Sequence, residues 1–485
     1  MDSPLVSVII PAYNQADFLA EAIQSVLDQT YPNFEVIVVN DASPDHTEEV
    51  VAQFRDPRVK YIRHEENKGL PATRNTGMRA ASGEIIALLD SDDLFHPDKL
   101  KVHARFLAKQ PEIGVSYNPR FNLNHSALTI RDLWRPPPAV GLADFVLGFP
   151  FSPSDMVLRR EWAFRVNLFD ESYVSGGEDL DFPCRLALAG CQFASVGRAL
   201  NYRRYHSGRG KKNLPARLND YVNALNNVFN HPACPQEVLS LRHTALANYH
   251  LEVFFLAFAQ EETGLGQQYL RRAVQLDPSL LQGTPCRLVN FLLAKSIADD
   301  SRNHEEILAK IMAQLPSEFR WLARHYEWAA ARGYLLRGGR AVIWDRPAAG
   351  RAYFQAAAKA GARVDHLFLR LLTAQLINYE TEFGQEAARA RLQTLARCLA
   401  DSGAPAAGRW LRGNYLVNDA FRKHRQGDYA EASRNALQAI FQDPAYLFNR
   451  GVLAVLFRSI GRVVTGKRQK KIATPSALSA IKSSE

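Results

Sequence analysis

The sequence predicts two structural regions, an α/β domain at the N-terminus followed by an all-α domain of helical hairpins. Residues 1–100 alternate apolar, strand-like runs with amphipathic helical runs, whereas the chain beyond about residue 211 shows helical patterning and no convincing strand. A β-α-β-α order is typical of a mostly parallel, Rossmann-like sheet. We place the α/β domain at 1–215, the helical domain at 216–465 and a basic, disordered tail at 466–485.

The predicted strands and helices follow one another without interruption over the first hundred residues. The strands are LVSVIIPAYN, FEVIVVND, VKYIRH and EIIALLD, and the helices are ADFLAEAIQSVLDQ, DHTEEVVAQF and PATRNTGMRAA. The first helix has an apolar stripe of helical spacing. In the second, Asp45 followed by Glu48 is a capping-box arrangement, and in the third Pro71 suits the first turn.

The cysteines and the N-terminal residues bear on the cellular compartment in which we expect the protein. The 485-residue chain has five scattered cysteines and no CxxC pair, which favours reduced thiols over a disulfide framework or a zinc cluster. Its first residues lack a basic, apolar leader, so we expect no signal peptide. No run approaches the roughly 20 apolar residues of a membrane span. These features predict a soluble, cytoplasmic protein.

Charge is distributed unevenly along the chain. Residues 1–210 hold 22 Lys/Arg against 27 Asp/Glu, and residues 211–485 hold 37 against 23. A basic C-terminal part is compatible with nucleic acid, anionic lipid or acidic polymers as partners. Because no helix-turn-helix, zinc-finger or RNP motif accompanies it, we expect no nucleic-acid partner.

Polar side chains follow three of the predicted strands, at Asn14, at Asp41 and at Asp90–Asp93. In open α/β sheets, ligands bind outside the carboxyl ends of the strands. Carboxylates there are suitable ligands for Mg²⁺ or Mn²⁺, although a solvated acidic turn is the simpler alternative. No GxGxxG follows the first strand and no GxxxxGK[ST] occurs, which argues against a dinucleotide dehydrogenase and a P-loop NTPase.

Three segments of the C-terminal region predict helical hairpins, namely 245–278, 334–361 and 415–444. They resemble degenerate tetratricopeptide units, which are known as protein-binding surfaces. Their irregular spacing leaves an ordinary helical bundle open as an alternative.

Six motifs occur in a characteristic order: VSVIIPAYN, VVNDASPD, NKGLPATRNTG, LLDSDD, GGEDLDFPCRL and YRRYH. Together they resemble family 2 glycosyltransferases with the GT-A fold, over about residues 4–215. The resemblance implies an inverting enzyme that moves a sugar from a nucleotide-diphosphate sugar to a hydroxyl. A UDP-sugar is the first candidate for the donor. A glycan, a lipid-linked glycan or a protein would be the acceptor, and Mn²⁺ or Mg²⁺ would be the cofactor.

The resemblance assigns the metal ligands to Asp92 and His206, and places Asp90 on the ribose side. Ser91 lies between the two aspartates, and in an extended chain its side chain is expected on the opposite face. Asp93 is expected to be a helix cap or part of a solvated turn. A basic loop around His206 suits the diphosphate; its members are Arg203, Arg204, Arg209, Lys211 and Lys212.

The base of the nucleotide would be flanked by Pro11 and Tyr13, with Asp41 accepting its N3–H and Arg74 reaching the base or the diphosphate. Each has a simpler alternative. Tyr13 is compatible with a core position, Asp41 with an Asx-turn and Arg74 with an exposed helix face.

Asp179 corresponds to the general base, which must accept the proton of the acceptor hydroxyl. Glu178 would support the acceptor or hold the loop. The alternative for both is a charged helix N-terminus, where carboxylates are favoured. Pro183 departs from the commoner form of the motif and is tolerable within the first helical turn.

Two further alternatives remain open. The transferase-like domain could be a catalytically silent module on a helical scaffold. In the C-terminal segment, which is rich in Lys and Arg, Val452, Leu456, Ile460 and Val463 share one helical face. That face either contacts an anionic membrane surface, so that the protein is peripheral at the inner face of the membrane, or caps the last hairpin.

Overall fold

The computed structural model describes residues 3–124, 129–205 and 213–464. The chain forms two compact units. The first comprises Met1–Phe291 with Lys310–Trp321, and the second comprises Leu292–Ala309 with Leu322–Glu485. Among the described residues, no helix combines the length and the hydropathy needed to cross a bilayer.

All twelve strands of the described chain belong to the first unit. They are β1 (Val6–Ala12), β2 (Phe34–Asn40), β3 (Val59–Arg63), β4 (Ile85–Leu88), β5 (Leu94–Phe95), β6 (Ile113–Tyr117), β7 (Arg120–Leu123), β8 (Ile130–Trp134), β9 (Ala139–Val140), β10 (Met156–Arg159), β11 (Gln192–Ser195) and β12 (Asn201–Arg203). Eight of them form one sheet in the order β3-β2-β1-β4-β10-β6-β11-β9, and β5-β12-β7-β8 form a second.

The large sheet is parallel where the sequence predicts it. The neighbours β3, β2, β1 and β4 are all parallel, whereas β10 is antiparallel to both β4 and β6. Every residue of β1 and β2 is buried, as expected for central strands covered on both faces. This confirms the α/β fold class and the four predicted strands, within a sheet that becomes mixed beyond β4.

Among the described residues, the first unit contains eleven complete α-helices, the start of a twelfth and, from Lys310, the end of a thirteenth. The first twelve are α1 (Ala16–Leu27), α2 (Thr47–Ala52), α3 (Leu70–Ala80), α4 (Lys99–Lys109), α5 (Leu142–Leu147), α6 (Arg160–Arg165), α7 (Glu178–Leu188), α8 (Leu214–Phe229), α9 (Gln236–Leu239), α10 (Arg242–Ala259), α11 (Thr263–Leu276) and α12 (Arg287–Ser296). The second unit contains the rest of α12 and α13 (His304–Ala313) up to Ala309, followed by α14 (Tyr326–Ile343), α15 (Pro347–Lys359), α16 (His366–Phe383), α17 (Gln385–Asp401), α18 (Pro405–Gln426), α19 (Tyr429–Gln442) and α20 (Arg450–Val464).

The predicted capping box of α2 is wrong. Asp45 does accept the backbone N–H of Thr47, at 3.1 Å, but Glu48 makes no return bond to the backbone of Asp45. Instead the Glu48 carboxylate accepts from Arg63 at 2.6 Å on the neighbouring strand β3. A cross-segment ion pair therefore replaces the local bond.

The three predicted helical hairpins are present as α10–α11, α14–α15 and α18–α19. In the last of these, Gly427 adopts a left-handed conformation (φ 81°) that ends α18, and the Asp428 side chain caps α19. The likeness to tetratricopeptide units stays a prediction. The domain boundary at 215 also stays a prediction. The series of helices without intervening strands begins at Leu214, whereas the chain through Phe291 belongs to the same compact unit as the sheet.

The predicted apolar face of α20 is divided. Val452 and Leu456 are buried in a cluster with Ala420, Ala432 and Ala436, so this half covers the last hairpin. Ile460 and Val463 are 39% and 50% exposed. The segment 466–485 lies outside the described residues.

Candidate active site

A cavity of about 580 Å³ opens at the carboxyl ends of β2, β1 and β4. Because these strands are parallel neighbours, the residues that follow them meet at one edge of the sheet. Asp41, Asp90 and Asp92 line the cavity, as the spacing of polar residues in the sequence predicts, whereas after β1 it is Tyr13 and not Asn14 that lines it. Its volume lies within the range of roughly 300–1,000 Å³ typical of small-molecule sites.

Residues 90–93 form a tight turn after β4, closed by the backbone N–H of Asp93 donating to the carbonyl of Asp90 at 3.0 Å. The expectation of an extended chain, with Ser91 on the opposite face from its neighbours, is therefore wrong. The turn brings carboxylate oxygens of Asp90, Asp92 and Asp93 within 4.8 Å of one another. Ser91 is buried and its hydroxyl donates to the side-chain oxygen of Gln15 at 2.5 Å.

Asp93 is not part of a solvated turn, because it is only 3% exposed. Its burial, together with the negative Asp92 and Asp90, raises the pKa of Asp93 to about 8. Three converging carboxylates repel one another unless one of them is protonated or a cation lies between them. Hard oxygen ligands in this arrangement fit Mg²⁺ or Mn²⁺.

Asp41 is 2% exposed and its carboxylate organises the loop before α3. The backbone N–H groups of Lys68 and Gly69 donate to its two oxygens, each at 2.9 Å, and His64 Nδ1 lies 2.7 Å from Oδ1. The simple Asx-turn alternative is insufficient, because these partners lie more than twenty residues away in sequence. Its predicted contact with the nucleotide base stays a prediction.

Arg74 on α3 is buried rather than exposed, with 2% of its surface accessible. Its guanidinium donates to Asp90 at 2.8 Å and to Glu178 at 3.3 Å, and it lies over the Phe169 ring at 5.3 Å. One cation therefore connects the carboxylate turn after β4 with the start of α7. The forked geometry of arginine suits such bridging.

Tyr13 and Pro11 both line the cavity. Tyr13 is 48% exposed, which excludes the core alternative for this side chain. The turn that carries it includes Asn14 in the left-handed region (φ 52°), and Ala42 after β2 is similar (φ 53°). Non-glycine residues rarely adopt this conformation, and such strain is concentrated at functional sites.

Asp179 is partly buried in the first turn of α7, and its Oδ1 has no hydrogen-bond partner among the described residues. Burial raises the pKa of Asp179 to about 7 and the negative Glu178 adds to the rise, whereas Arg217 and Arg74 oppose it. A carboxylate with a pKa near neutrality is suited to accept a proton.

The helix start that carries Asp179 differs from the expectation in one respect. Pro183 lies inside α7, in its second turn rather than its first. Proline has no N–H, so the carbonyl of Asp179, four residues earlier, loses its regular helical partner at this point. Gly177, with φ 96°, forms the N-cap and permits the abrupt start of the helix.

Of the predicted basic loop, the structure describes two arginines. Arg203 lines the cavity, and Arg204 turns away to pair with Glu21. His206, the second predicted metal ligand, lies outside the described residues, as do Arg209, Lys211 and Lys212.

Two features, one of the carboxylate cluster and one of the cavity, were not predicted from the sequence. Asp93 joins the carboxylate cluster because the chain turns after Asp90. Arg217, on α8, lines the cavity beyond the predicted end of the domain at 215. Nothing local in the sequence marks Arg217, since isolated arginines on helices are common.

Comparison with known proteins agrees with the motifs. Residues 7–163 match the family model described as glycosyl transferase family 2. An uncharacterised glycosyltransferase of Rickettsia conorii is 47% identical over 103 residues, or 21% of this chain and 17% of that protein. The Escherichia coli UDP-Glc:alpha-D-GlcNAc-diphosphoundecaprenol beta-1,3-glucosyltransferase WfgD is 43% identical over 128 residues, or 26% of this chain and 50% of that protein. The chain thus spans half or less of the length of these relatives.

Among solved structures, S. aureus TarS 1-349 in complex with UDP-GlcNAc is 21% identical with a TM-score of 0.43, over 74% of this chain and 93% of that chain. This likeness, at such a score, adds no argument about function. The match to glycosyl transferase family 2 thus covers the part of the α/β sheet that positions the Asp90–Asp93 turn.

Proposed function

We propose that the protein is an inverting glycosyltransferase that transfers a sugar from a UDP-sugar to an acceptor hydroxyl. The observation that best supports this is that one cavity contains both the Asp90–Asp92 turn and Asp179. An inverting transfer needs stabilisation of a diphosphate leaving group at one position and a base at another. The Asp90–Asp92 turn suits the first task and Asp179 the second.

On the donor side, the residues that follow β1 and β2 would hold the nucleotide. Tyr13 and Pro11 offer an exposed ring and a rigid wall for the base, and Asp41 is fixed beside them by Lys68 and Gly69. Asp92, with His206, would hold the divalent cation, and Asp90 the ribose. When bound, Mn²⁺ or Mg²⁺ supplies Lewis-acid stabilisation of the departing diphosphate.

On the acceptor side, Asp179 would accept the hydroxyl proton as the oxygen attacks the anomeric carbon. A new C–O bond forms on one face of the sugar while the bond to the diphosphate breaks on the other, so the configuration inverts. Glu178, held by Arg74, would orient the acceptor and keep the loop in place. Asp179 ends the step protonated and the nucleoside diphosphate departs.

The donor and acceptor classes are suggested by the E. coli relative, whose name specifies a UDP-sugar and a lipid-linked acceptor. We propose the same donor nucleotide for this chain. For the acceptor we propose a glycan, a lipid-linked glycan or a protein hydroxyl. The helical hairpins are a proposed surface for a protein partner, and the exposed part of α20 a proposed contact with an anionic membrane.

The test is the release of UDP from a panel of UDP-sugars in the presence of Mn²⁺, with Asp179→Asn as the control. UDP release from one donor by the wild-type protein, without release by Asp179→Asn, would agree with the proposal. A wild-type protein that binds UDP yet releases none from any donor, with or without glycan acceptors, would favour the silent-module alternative.

A further inference from the structure

Helix α8 lies outside the matched residues 7–163, yet it contacts the loop that carries Asp179 at several points. The backbone N–H of Ser175 donates to the Asp220 carboxylate at 2.8 Å. The carbonyl of the same residue accepts from Arg217 Nη1 at 3.0 Å. Both backbone polar groups of Ser175, three residues before α7 begins, thus bond to one helix.

The two glycines that follow are packed against the same helix. A Cβ at Gly176 would lie 3.0 Å from Arg217 Nη1, and one at Gly177 would lie 3.0 Å from the carbonyl oxygen of Asp220. Both have positive φ, 142° and 96°. The loop can approach α8 this closely only because it lacks side chains here.

The clamping side chains are themselves held. Asp220 is 8% exposed, and Arg217 Nη2 donates to the Tyr221 hydroxyl at 2.5 Å while its guanidinium lies 5.0 Å from that ring. Arg217 also lines the cavity that contains Asp179. A rigid support of this kind is what places a reacting group to within a fraction of an ångström.

We infer that Asp220 and Arg217 of α8 are positioning residues for the reaction, which fix the Ser175–Gly177 loop and thereby the place of Asp179 in the cavity. The inference rests on the proposed function for its kinetic consequences. Its structural content, a clamp between α8 and this loop, does not depend on the identity of the substrate.

Arg217 has a second consequence, through charge. The titratable and charged groups that face Asp179 come from four helices; they are Arg74, Glu178, Arg217, Tyr221 and Tyr249. Of these, Arg217 and Arg74 favour the ionised form of Asp179. Loss of Arg217 should therefore displace the acid limb of the rate profile to higher pH, whereas a purely structural role would leave the limb in place.

The experiment uses the full chain with three substitutions at the clamp, Asp220→Ala, Asp220→Asn and Arg217→Gln. Asp220→Asn retains an oxygen that can accept the Ser175 N–H. Asn219→Ala, on the exposed neighbour along the helix, is the matched control. We expect Asp220→Ala to lower kcat by roughly 10- to 100-fold with little change in KM for the donor, and Asp220→Asn to recover most of the loss.

Hydrogen–deuterium exchange of peptides covering residues 173–181 needs no substrate and separates this inference from the proposed function. Faster exchange in Asp220→Ala, but not in Asn219→Ala, supports the clamp even if no donor is turned over. Unchanged exchange overturns it. In an active enzyme, wild-type kcat in Asp220→Ala, or an unmoved acid limb in Arg217→Gln, also overturns it.

Discussion

The pH dependence of sugar transfer should report the ionisation of Asp179. Burial and Glu178 raise the pKa of this carboxyl to about 7. About a tenth of the molecules would therefore carry the ionised base at pH 6, and about nine tenths at pH 8. A base acts only when deprotonated, so the rate should increase as the pH rises through 7. We expect kcat/KM to rise about tenfold per pH unit below this pKa and to level off above it.

Asp179→Asn removes the proton acceptor with little change in size. Transfer should fall by roughly 10²–10⁴-fold, and the residual rate should lose the acid limb. The assay is the initial rate of UDP release at saturating Mn²⁺ between pH 5.5 and 8.5. UDP affinity, measured by calorimetry over the same pH range, shows whether the fall in rate at low pH arises from weaker donor binding instead. The affinity should be similar in the wild-type protein and in Asp179→Asn.

Two results would refute this reasoning. A wild-type rate in Asp179→Asn would show that another group accepts the proton. A profile that is flat from pH 5.5 to 8.5, at constant UDP affinity, would show that the environment of Asp179 does not place its pKa near neutrality during turnover.

Three other measurements test the remaining proposals. UDP should bind more tightly with Mn²⁺ than with EDTA, and Asp92→Ala should abolish the difference; equal affinities in the wild-type protein would remove the metal from the site. Arg74→Gln leaves Asp90 and Glu178 without their shared cation, which should cost about 3 kcal/mol, the lower end for a broken buried pair because Asp90 is 32% exposed. The melting temperature should fall by roughly 3–5 °C, and an unchanged melting curve contradicts the bridge. Anionic liposomes should retain the full chain at low salt and lose it after deletion of residues 447–485; retention by the truncated protein would locate any membrane contact elsewhere.

The sequence was sufficient for the four parallel strands β1 to β4 and for the edge of the sheet where the cavity lies. Continuous apolar strands such as β1 and β2 are local signals, and the parallel order follows from their alternation with helices. Since the carboxyl ends of parallel neighbours meet, Asp41 and Asp90 could be placed together without coordinates. The ordered motifs predicted the resemblance to family 2 glycosyltransferases, which the match over residues 7–163 supports.

What the sequence could not provide is the geometry that depends on tertiary contacts. The turn that adds Asp93 to the cluster is closed by one backbone bond, and no residue type in "DSDD" requires it. The burial of Arg74 depends on Glu178, which lies 104 positions later in the chain. Arg217 and Asp220 were missed for the same reason: their partners, on the loop before α7, are more than forty residues away.

The charges of the cavity are the physical reason to expect that donor binding depends on a cation. Among the described residues that line it, five are acidic and three are arginines. One of the three, Arg74, is already paired with Asp90 and Glu178. A nucleoside diphosphate is itself an anion, and in a low-dielectric cavity its approach to Asp92 would be unfavourable without an intervening positive charge. The carboxylates that make the apo site self-repulsive are therefore the groups that would couple donor binding to a divalent ion. In this interpretation the donor and the metal enter as one electrostatic unit, and Asp179 keeps its proton affinity for the acceptor because burial and Glu178 outweigh Arg217 and Arg74.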